Sequence, residues 1–223
     1  MKKASAINDL LRVMATLRSP TGCPWDREQN HHTLRRHAVE EVYELIDAIE
    51  ARDDHEMAEE LGDLLLQVVF HCQLAAERDA FDFEKVTRLI VEKLIRRHPH
   101  VFGNTKVRDV DEVWANWEKI KKAEKDGTRH ERASALDGIP RHLPALARAE
   151  KLVKKARKVQ LLPATPATRR RLTKPALARE LFDLVDFAQT RGWSAEELLA
   201  AEVKKQEKRL RKDERQGRVF KIA

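Results

Sequence analysis

Seven glycines, one tyrosine and two cysteines among 223 residues exclude several protein classes at once. Scarce glycine and few β-branched runs leave little material for strands, so helices are expected. The two cysteines, Cys23 and Cys72, lie far apart and neither has a CxxC partner. That pattern fits a reducing, cytoplasmic setting rather than a disulfide framework. No apolar run is long enough for a membrane span. The opening stretch MKKASAINDLLRVMATLRS carries charge within its apolar pattern and lacks a cleavage site, so it does not read as a secretory signal. There is no GxxxxGK[ST] phosphate loop, no HExxH and no GxSxG. The serines and cysteines have no obvious partners for nucleophilic work.

What is abundant is charge, at 36% of residues with a net +7. It is unevenly spread. Residues 1–140 hold 22 Lys+Arg against 27 Asp+Glu, and residues 141–223 hold 22 against 10. The basic excess therefore belongs to the C-terminal part alone. Such asymmetry suits a nucleic-acid or polyphosphate partner, and equally a solvated basic helix.

Helix signals follow one another along the chain. Ile7, Leu10, Leu11, Met14 and Leu17 share one helical face. Two prolines and a glycine make SPTGCPWD (19–26) a loop. Val39, Val42, Ile46 and Ile49 mark a second helix ending near Arg52. Asp53 or Asp54 caps a third, apolar nearly all round in its latter half, as for a buried helix or a subunit interface. Asp82 opens a fourth through about Arg97, and RHPHVFGNT connects it onward. Asp109 or Asp111 starts a fifth that holds Trp114, Trp117 and Ile120. The polar stretch 121–140 reads as a linker. Helical patterns resume over 144–159, 175–191 and 194–216, with Ser194 as the last N-cap. The proline-rich 161–175 reads as an exposed loop. The fold class is all-α.

The chemistry lies in the acids. Residues three apart share a helix face, so Glu41 pairs with Glu44, and Glu60 with Asp63. The short turn makes the two helices antiparallel neighbours. About nine residues separate Glu44 from the turn and about seven separate the turn from Glu60, which at about 1.5 Å per residue is nearly equal height. Four carboxylates at one level raise one another's pKa unless a cation joins them. Hard oxygen ligands in this number suit Mg²⁺ or Mn²⁺. Gly62 inside the helix is unfavourable by about 1 kcal/mol against alanine, and a close approach of helix or ligand would account for it. A single ExxE is usually a solvated face. Two pairs at matched height beside apolar residues favour a metal site, and spacing alone leaves both readings open.

A metal-bound polyphosphate also needs cationic donors. Lys93, Arg96 and Arg97 lie together on the fourth helix, followed by His98 and His100. Trp117 and Lys121 are one turn apart on the fifth, where an indole can stack on a base and an ammonium can meet a phosphate. Each also has a structural reading: Trp117 as core, the histidines as helix cap, Lys93 as solvated.

EEVYE (40–44) followed by EELGD (59–63) resembles the EExxE…ExxD motif of MazG nucleoside triphosphate pyrophosphohydrolases. GCPWDREQ (22–29), RRHPHVFG (96–103) and WANWEKIKK (114–122) are similar to that family's N-terminal domain, and LPALARAEKLVKKARKV (143–159) to the start of its second. The resemblance implies a tightly dimeric all-α bundle holding Mg²⁺ on Glu41, Glu44, Glu60 and Asp63. It implies cleavage of a nucleoside triphosphate between the α- and β-phosphates, giving a monophosphate and pyrophosphate. Nucleotide contacts fall by position on His37, Lys93, Arg96, Arg97, Trp117 and Lys121. Glu40 or Glu59, beside the ligands, could orient the attacking water. The expected organisation is a catalytic domain over 1–125, a linker over 126–143, and a second MazG-like domain over 144–223.

That second domain departs from the family pattern. RELFDLVDFAQTRG (179–192) retains Glu180 and Asp183, but residues 160–179 contain no acid at all. Two acids cannot form the cage, and Lys208, Arg211 and Lys212 resemble a phosphate-binding run without metal ligands. The second domain is expected to be degenerate, retained for dimer packing, regulation or polyanion binding. Two functions follow. One is a cytoplasmic Mg²⁺-dependent pyrophosphohydrolase that cleans the nucleotide pool. The other is a non-catalytic nucleotide-binding regulator whose basic C-terminal region binds nucleic acid or a protein.

Overall fold

The computed structural model describes residues 5–128, 131–163 and 173–218, and of Lys122 its backbone alone. Among the described residues there are helices and no strand. They are α1 (Ala6–Leu17), α2 (Pro24–Glu28), α3 (Arg35–Ala51), α4 (Asp54–Ala76), α5 (Phe83–Arg97), α6 (Pro99–Phe102), α7 (Val110–Ala123), α8 (Ala145–Lys158), α9 (Lys174–Thr190) and α10 (Ala195–Arg215). The chain divides into two compact units, Met1–Trp117 and Glu118–Ala223. The expected caps form: Asp53 accepts from the N–H of His55 and Glu56, Asp82 from Lys85, and Ser194 from Glu197. The Asp109 carboxylate accepts from the Glu112 N–H at 2.9 Å, which fixes the start of α7.

In the first unit α3 and α4 form an antiparallel hairpin. Arg52 takes a left-handed conformation (φ 57°), and its N–H closes α3 on the Ala48 and Ile49 carbonyls. The core gathers Met14 from α1, Leu34, and Val69, Phe70 and Leu74 from α4. Arg18, at the C-terminus of α1, clips this core together. Its guanidinium donates to both oxygens of Glu77 at 2.6 and 2.7 Å, and to the backbone carbonyls of Asp26 and Gln29. The GCPWD segment folds back on α1, and Gly22 is needed there: a Cβ would lie 2.2 Å from the Leu17 carbonyl oxygen. The stretch expected to be only loop contains the short α2, because Pro24 sits at its first turn, where a missing N–H does no harm. Likewise the connector after α5 contains α6, started by Pro99.

The second unit is built on α8 and α10 around Leu136, Leu152, Ala156, Leu161, Val203 and Leu210. Leu136 comes from the polar stretch expected to be a linker, and it is 0% exposed. That stretch is pinned by polar contacts on both helices. Glu214 of α10 accepts from the Ala135 N–H and the Ser134 hydroxyl. Lys155 of α8 donates to the carbonyls of Ala135 and Asp137, at 3.1 and 2.9 Å. Polarity here marks anchoring rather than freedom, and the division between units falls earlier than residue 125, inside α7. Residues 164–172 of the expected proline-rich loop lie outside the described residues. α9 makes its main contact with α10 and leaves Leu181, Phe182, Leu184 and Val185 exposed.

Candidate metal and nucleotide site

The α3–α4 hairpin sets the site. Glu41 of α3 faces Glu60, Asp63 and Gln67 of α4. One carboxylate oxygen each from Glu41, Glu60 and Asp63 lies within 4.8 Å of the others. Glu44, one turn further along α3, lies within hydrogen-bonding reach of Glu41, and its charge acts on Glu60 as well. The matched heights read from the turn are thus realised. Gln67 is buried, and its amide donates to Glu41 Oε1 at 3.3 Å.

The electrostatics are those of an unneutralised cluster. Burial, then the charges of Asp63 and Glu44, pushes the Glu41 carboxyl above its ordinary range despite the opposing bond from Gln67. Glu60 is pushed up by burial and by Glu44, Asp63, Glu41 and Glu56. Glu60 Oε2 is buried with no donor among the described residues. A carboxylate oxygen so placed is unfavourable unless a cation or a proton meets it. An all-oxygen donor set with one orphaned member fits a hard divalent cation, so this cluster can hold a metal. A second group, His55, Glu56 and Glu59, lies exposed on the first two turns of α4 and has no such orphan.

The other candidates sort themselves by contact. His37 is half-exposed; its Nδ1 lies 3.4 Å from Glu40, and its ring meets Trp25 edge-on at 6.0 Å. Glu59 lies 3.7 Å from His55. Both acids considered for orienting water are therefore exposed and beside histidines of their own helices. Lys93, Arg96 and Arg97 share the C-terminal half of α5. His98 caps that helix, its Nδ1 donating to the Leu94 carbonyl at 2.6 Å. Trp117 is half-buried between His98, at 5.0 Å, and Trp114, at 5.3 Å, so its packing role is real. Lys121 lies 3.7 Å from Glu118 and falls in the second unit. Close packing does not account for Gly62: a Cβ there meets nothing within 4 Å of this chain. The residue that sequence reasoning missed is Gln67. Its signal was one polar side chain within LLLQVVF, two turns after Glu60 on the same face.

An all-helical hairpin that aims acids from two adjacent helices at one point defines a class of metal-binding bundle. Residues 29–102 match the family described as MazG nucleotide pyrophosphohydrolase domain. The chain is 50% identical over 142 residues to the uncharacterized protein YabN of Bacillus subtilis, covering 64% of this chain and 28% of that protein. It is 47% identical over 154 residues to the nucleoside triphosphate pyrophosphohydrolase of Escherichia coli K12, covering 69% and 58%. It is 46% identical over 160 residues to the nucleoside triphosphate pyrophosphohydrolase/pyrophosphatase MazG of Thermotoga maritima, covering 71% and 60%. The chain thus spans at most 60% of the length of these relatives. No helix among the described residues is long and apolar enough to cross a membrane.

Proposed function

We propose that this chain is a Mg²⁺-dependent nucleoside triphosphate pyrophosphohydrolase. It converts NTP or dNTP and water to NMP or dNMP and pyrophosphate, as a cytoplasmic house-cleaning enzyme of the nucleotide pool. The carrying observation is the meeting of Glu41, Glu60 and Asp63 across the hairpin, with Glu60 Oε2 buried and unmatched. The activity named for the Escherichia coli and Thermotoga maritima relatives supports the reaction class.

In this reading Glu41, Glu44, Glu60 and Asp63 hold Mg²⁺, for which Mn²⁺ is a substitute. When bound, the ion supplies an acidified water and positive charge at the α-phosphorus and the leaving pyrophosphate. Gln67 fixes one oxygen of Glu41 and so orients the other. Lys93, Arg96 and Arg97 bind phosphate oxygens, while His37, Trp117 and Lys121 contact the rest of the nucleotide. Glu40 or Glu59 orients the water after leaving its histidine neighbour. The second unit is a degenerate relative of the first, and the working form is a homodimer. Val39, Val42, Ile46 and Ile49, which form one stripe of α3, and Leu89, Ile90, Leu94 and Ile95 of α5 are exposed in the single chain, as a dimer face requires.

The test is pyrophosphate release from a panel of NTPs with Mg²⁺ by the wild type, Glu41→Gln and Glu180→Ala. Wild type and Glu180→Ala should release pyrophosphate at similar rates, and Glu41→Gln should lose about 10²-fold or more, since the metal contributes several kcal/mol. No metal-dependent release from any NTP sinks the reading, and a large loss in Glu180→Ala moves the site to the second unit.

A further inference from the structure

The polar row on α4 continues past the acids. Glu60, Asp63, Gln67 and His71 recur at spacings of three and four, so they share one face of that helix. Gln67 is buried and His71 half-buried. His71 meets a second imidazole, from the segment before α3. The rings of His31 and His71 stack at 5.1 Å with 10° between their planes, and their Nδ1 atoms are 2.8 Å apart. A tight turn holds His31 in place. The Asn30 side chain accepts from the N–H groups of His32 and Thr33 at 2.8 and 3.2 Å, and Leu34 is anchored in the core.

Packing alone does not ask for this pair. Two apolar rings would stack in the same space without taking polar atoms out of water. At 2.8 Å the two Nδ1 atoms share one proton, so one ring donates and the other accepts. The surroundings choose the direction. His31 Nε2 is buried with no partner among the described residues, and so is Gln67 Oε1. If His71 donated, His31 would carry its own proton on that buried Nε2, as an N–H with no acceptor, and Gln67 Oε1 would stay without a donor. If His31 donates, its Nε2 is bare, and His71 carries its proton on Nε2, where it can donate onward. The second arrangement leaves fewer buried groups unmatched. It requires a neutral His71, because a doubly protonated ring cannot accept at Nδ1. Burial, then the neighbouring His31, holds the His71 pKa below its ordinary value and so favours that form.

Side chains on a helix lean toward its N-terminus, so His71 leans over the turn that holds Gln67. Gln67 in turn donates to Glu41 Oε1 at 3.3 Å. A carboxamide has a donor end and an acceptor end, and only the donor end suits a carboxylate. A donor at Gln67 Oε1 fixes which end faces Glu41. We propose that His31 and His71 are positioning residues for the metal site and form with Gln67 a one-way hydrogen-bond relay. His31 Nδ1–H donates to His71 Nδ1, His71 Nε2–H donates through one water to Gln67 Oε1, and Gln67 Nε2–H donates to Glu41. The relay transfers no proton. It keeps the Glu41 carboxylate turned toward the cation, and its purpose rests on the reading of Glu41 as a metal ligand.

Nitrogen NMR of the imidazole rings in the full chain, at about pH 8 and so above the ordinary histidine range, reads the tautomers directly. His31 should carry its proton on Nδ1 and His71 on Nε2. The reverse assignment overturns the relay whatever the metal does. Calorimetric titration of the full chain with Mn²⁺, without nucleotide, reads the consequence. His31→Phe and His71→Phe each keep a stacked ring, so packing survives in both. Both should weaken Mn²⁺ binding, His71→Phe by about tenfold, as for other groups that orient a metal ligand. His71→Gln, whose amide N–H can stand where Nε2–H stood, should recover most of that loss. A His71→Gln that binds Mn²⁺ no better than His71→Phe overturns the relay. Glu41→Gln is the reference. If it weakens Mn²⁺ binding and neither phenylalanine variant does, the relay is wrong and the metal site stands. If it leaves Mn²⁺ binding unchanged, the metal reading falls and the positioning role falls with it.

Discussion

Glu41 shows how far single residues can be read and where the reading stops. Its i, i+3 spacing with Glu44, and the like spacing of Glu60 and Asp63, carried the acidic cluster from sequence to structure, because helix geometry leaves such pairs no other arrangement. Gln67 was not legible in the same way, since its role depends on which α3 residue stands opposite. Glu41 is held by that amide at 3.3 Å. Gln67→Leu keeps the volume and removes the donor, so the carboxylate loses its orientation. The Mg²⁺ concentration for half-maximal pyrophosphate release should rise about 10- to 100-fold, as for other groups that orient a metal ligand, with little change in melting temperature. An unchanged Mg²⁺ requirement would remove Gln67 from the machinery. Gly62 gives the opposite lesson. It suggested close packing, yet a Cβ there meets nothing within 4 Å. Gly62→Ala should therefore stabilise the protein by about 0.5–1 kcal/mol in urea titration, the helix-propensity difference. Greater stability with lost activity would locate the close approach on a substrate or a second copy rather than within the chain.

At the scale of elements, helix positions were legible because caps and apolar periodicity act locally. The 131–140 segment was not, since its polar residues serve partners 74 to 80 positions away, as in Arg211 to Asp137 and Ser134 to Glu214. The link from α1 to the end of α4 is likewise non-local, and it titrates. Arg18 beside Glu77, first by hydrogen bonding, holds the Glu77 carboxyl below its ordinary value of 4.5, against the opposing effect of burial. The folded state therefore binds that proton less tightly than the unfolded chain. The ion pair's contribution is complete above about pH 4.5 and fades as the pH falls through the lower folded value. Glu77→Gln should be less stable than wild type at neutral pH. The gap between the two melting temperatures should narrow as the pH is lowered below 4.5. A gap that stays constant across that range would show that Glu77 acts through packing rather than charge.

At the scale of the whole molecule, the apolar stripe of α3 was legible in the sequence and what covers it was not. Val39, Val42, Ile46 and Ile49 recur at spacings of three and four, which announces a buried face. In the single chain they are 41–55% exposed, while Ala48 is the residue of α3 that is buried. Helix α5 repeats the pattern: it has no buried residue, and Leu89, Ile90, Val91, Leu94 and Ile95 all stay open. Periodicity reports that a face must be covered, and it is silent on whether the cover comes from the same chain. Two helices with open apolar faces exceed what a monomer ordinarily leaves to water. A second copy meets the need by symmetry, since an isologous contact lays the same stripe against itself. Sedimentation should then give a particle of twice the 25.8 kDa chain mass. Ile46→Asp places a charge in that contact two residues from Glu44, and Leu94→Asp places one on α5. Both should shift the protein toward monomer and lower pyrophosphate release together, because the proposed pairing faces are borne by the helices that carry the acids and the cations proposed to bind phosphate. A wild type that sediments as a fully active monomer would refute the dimer and leave the stripe without a function.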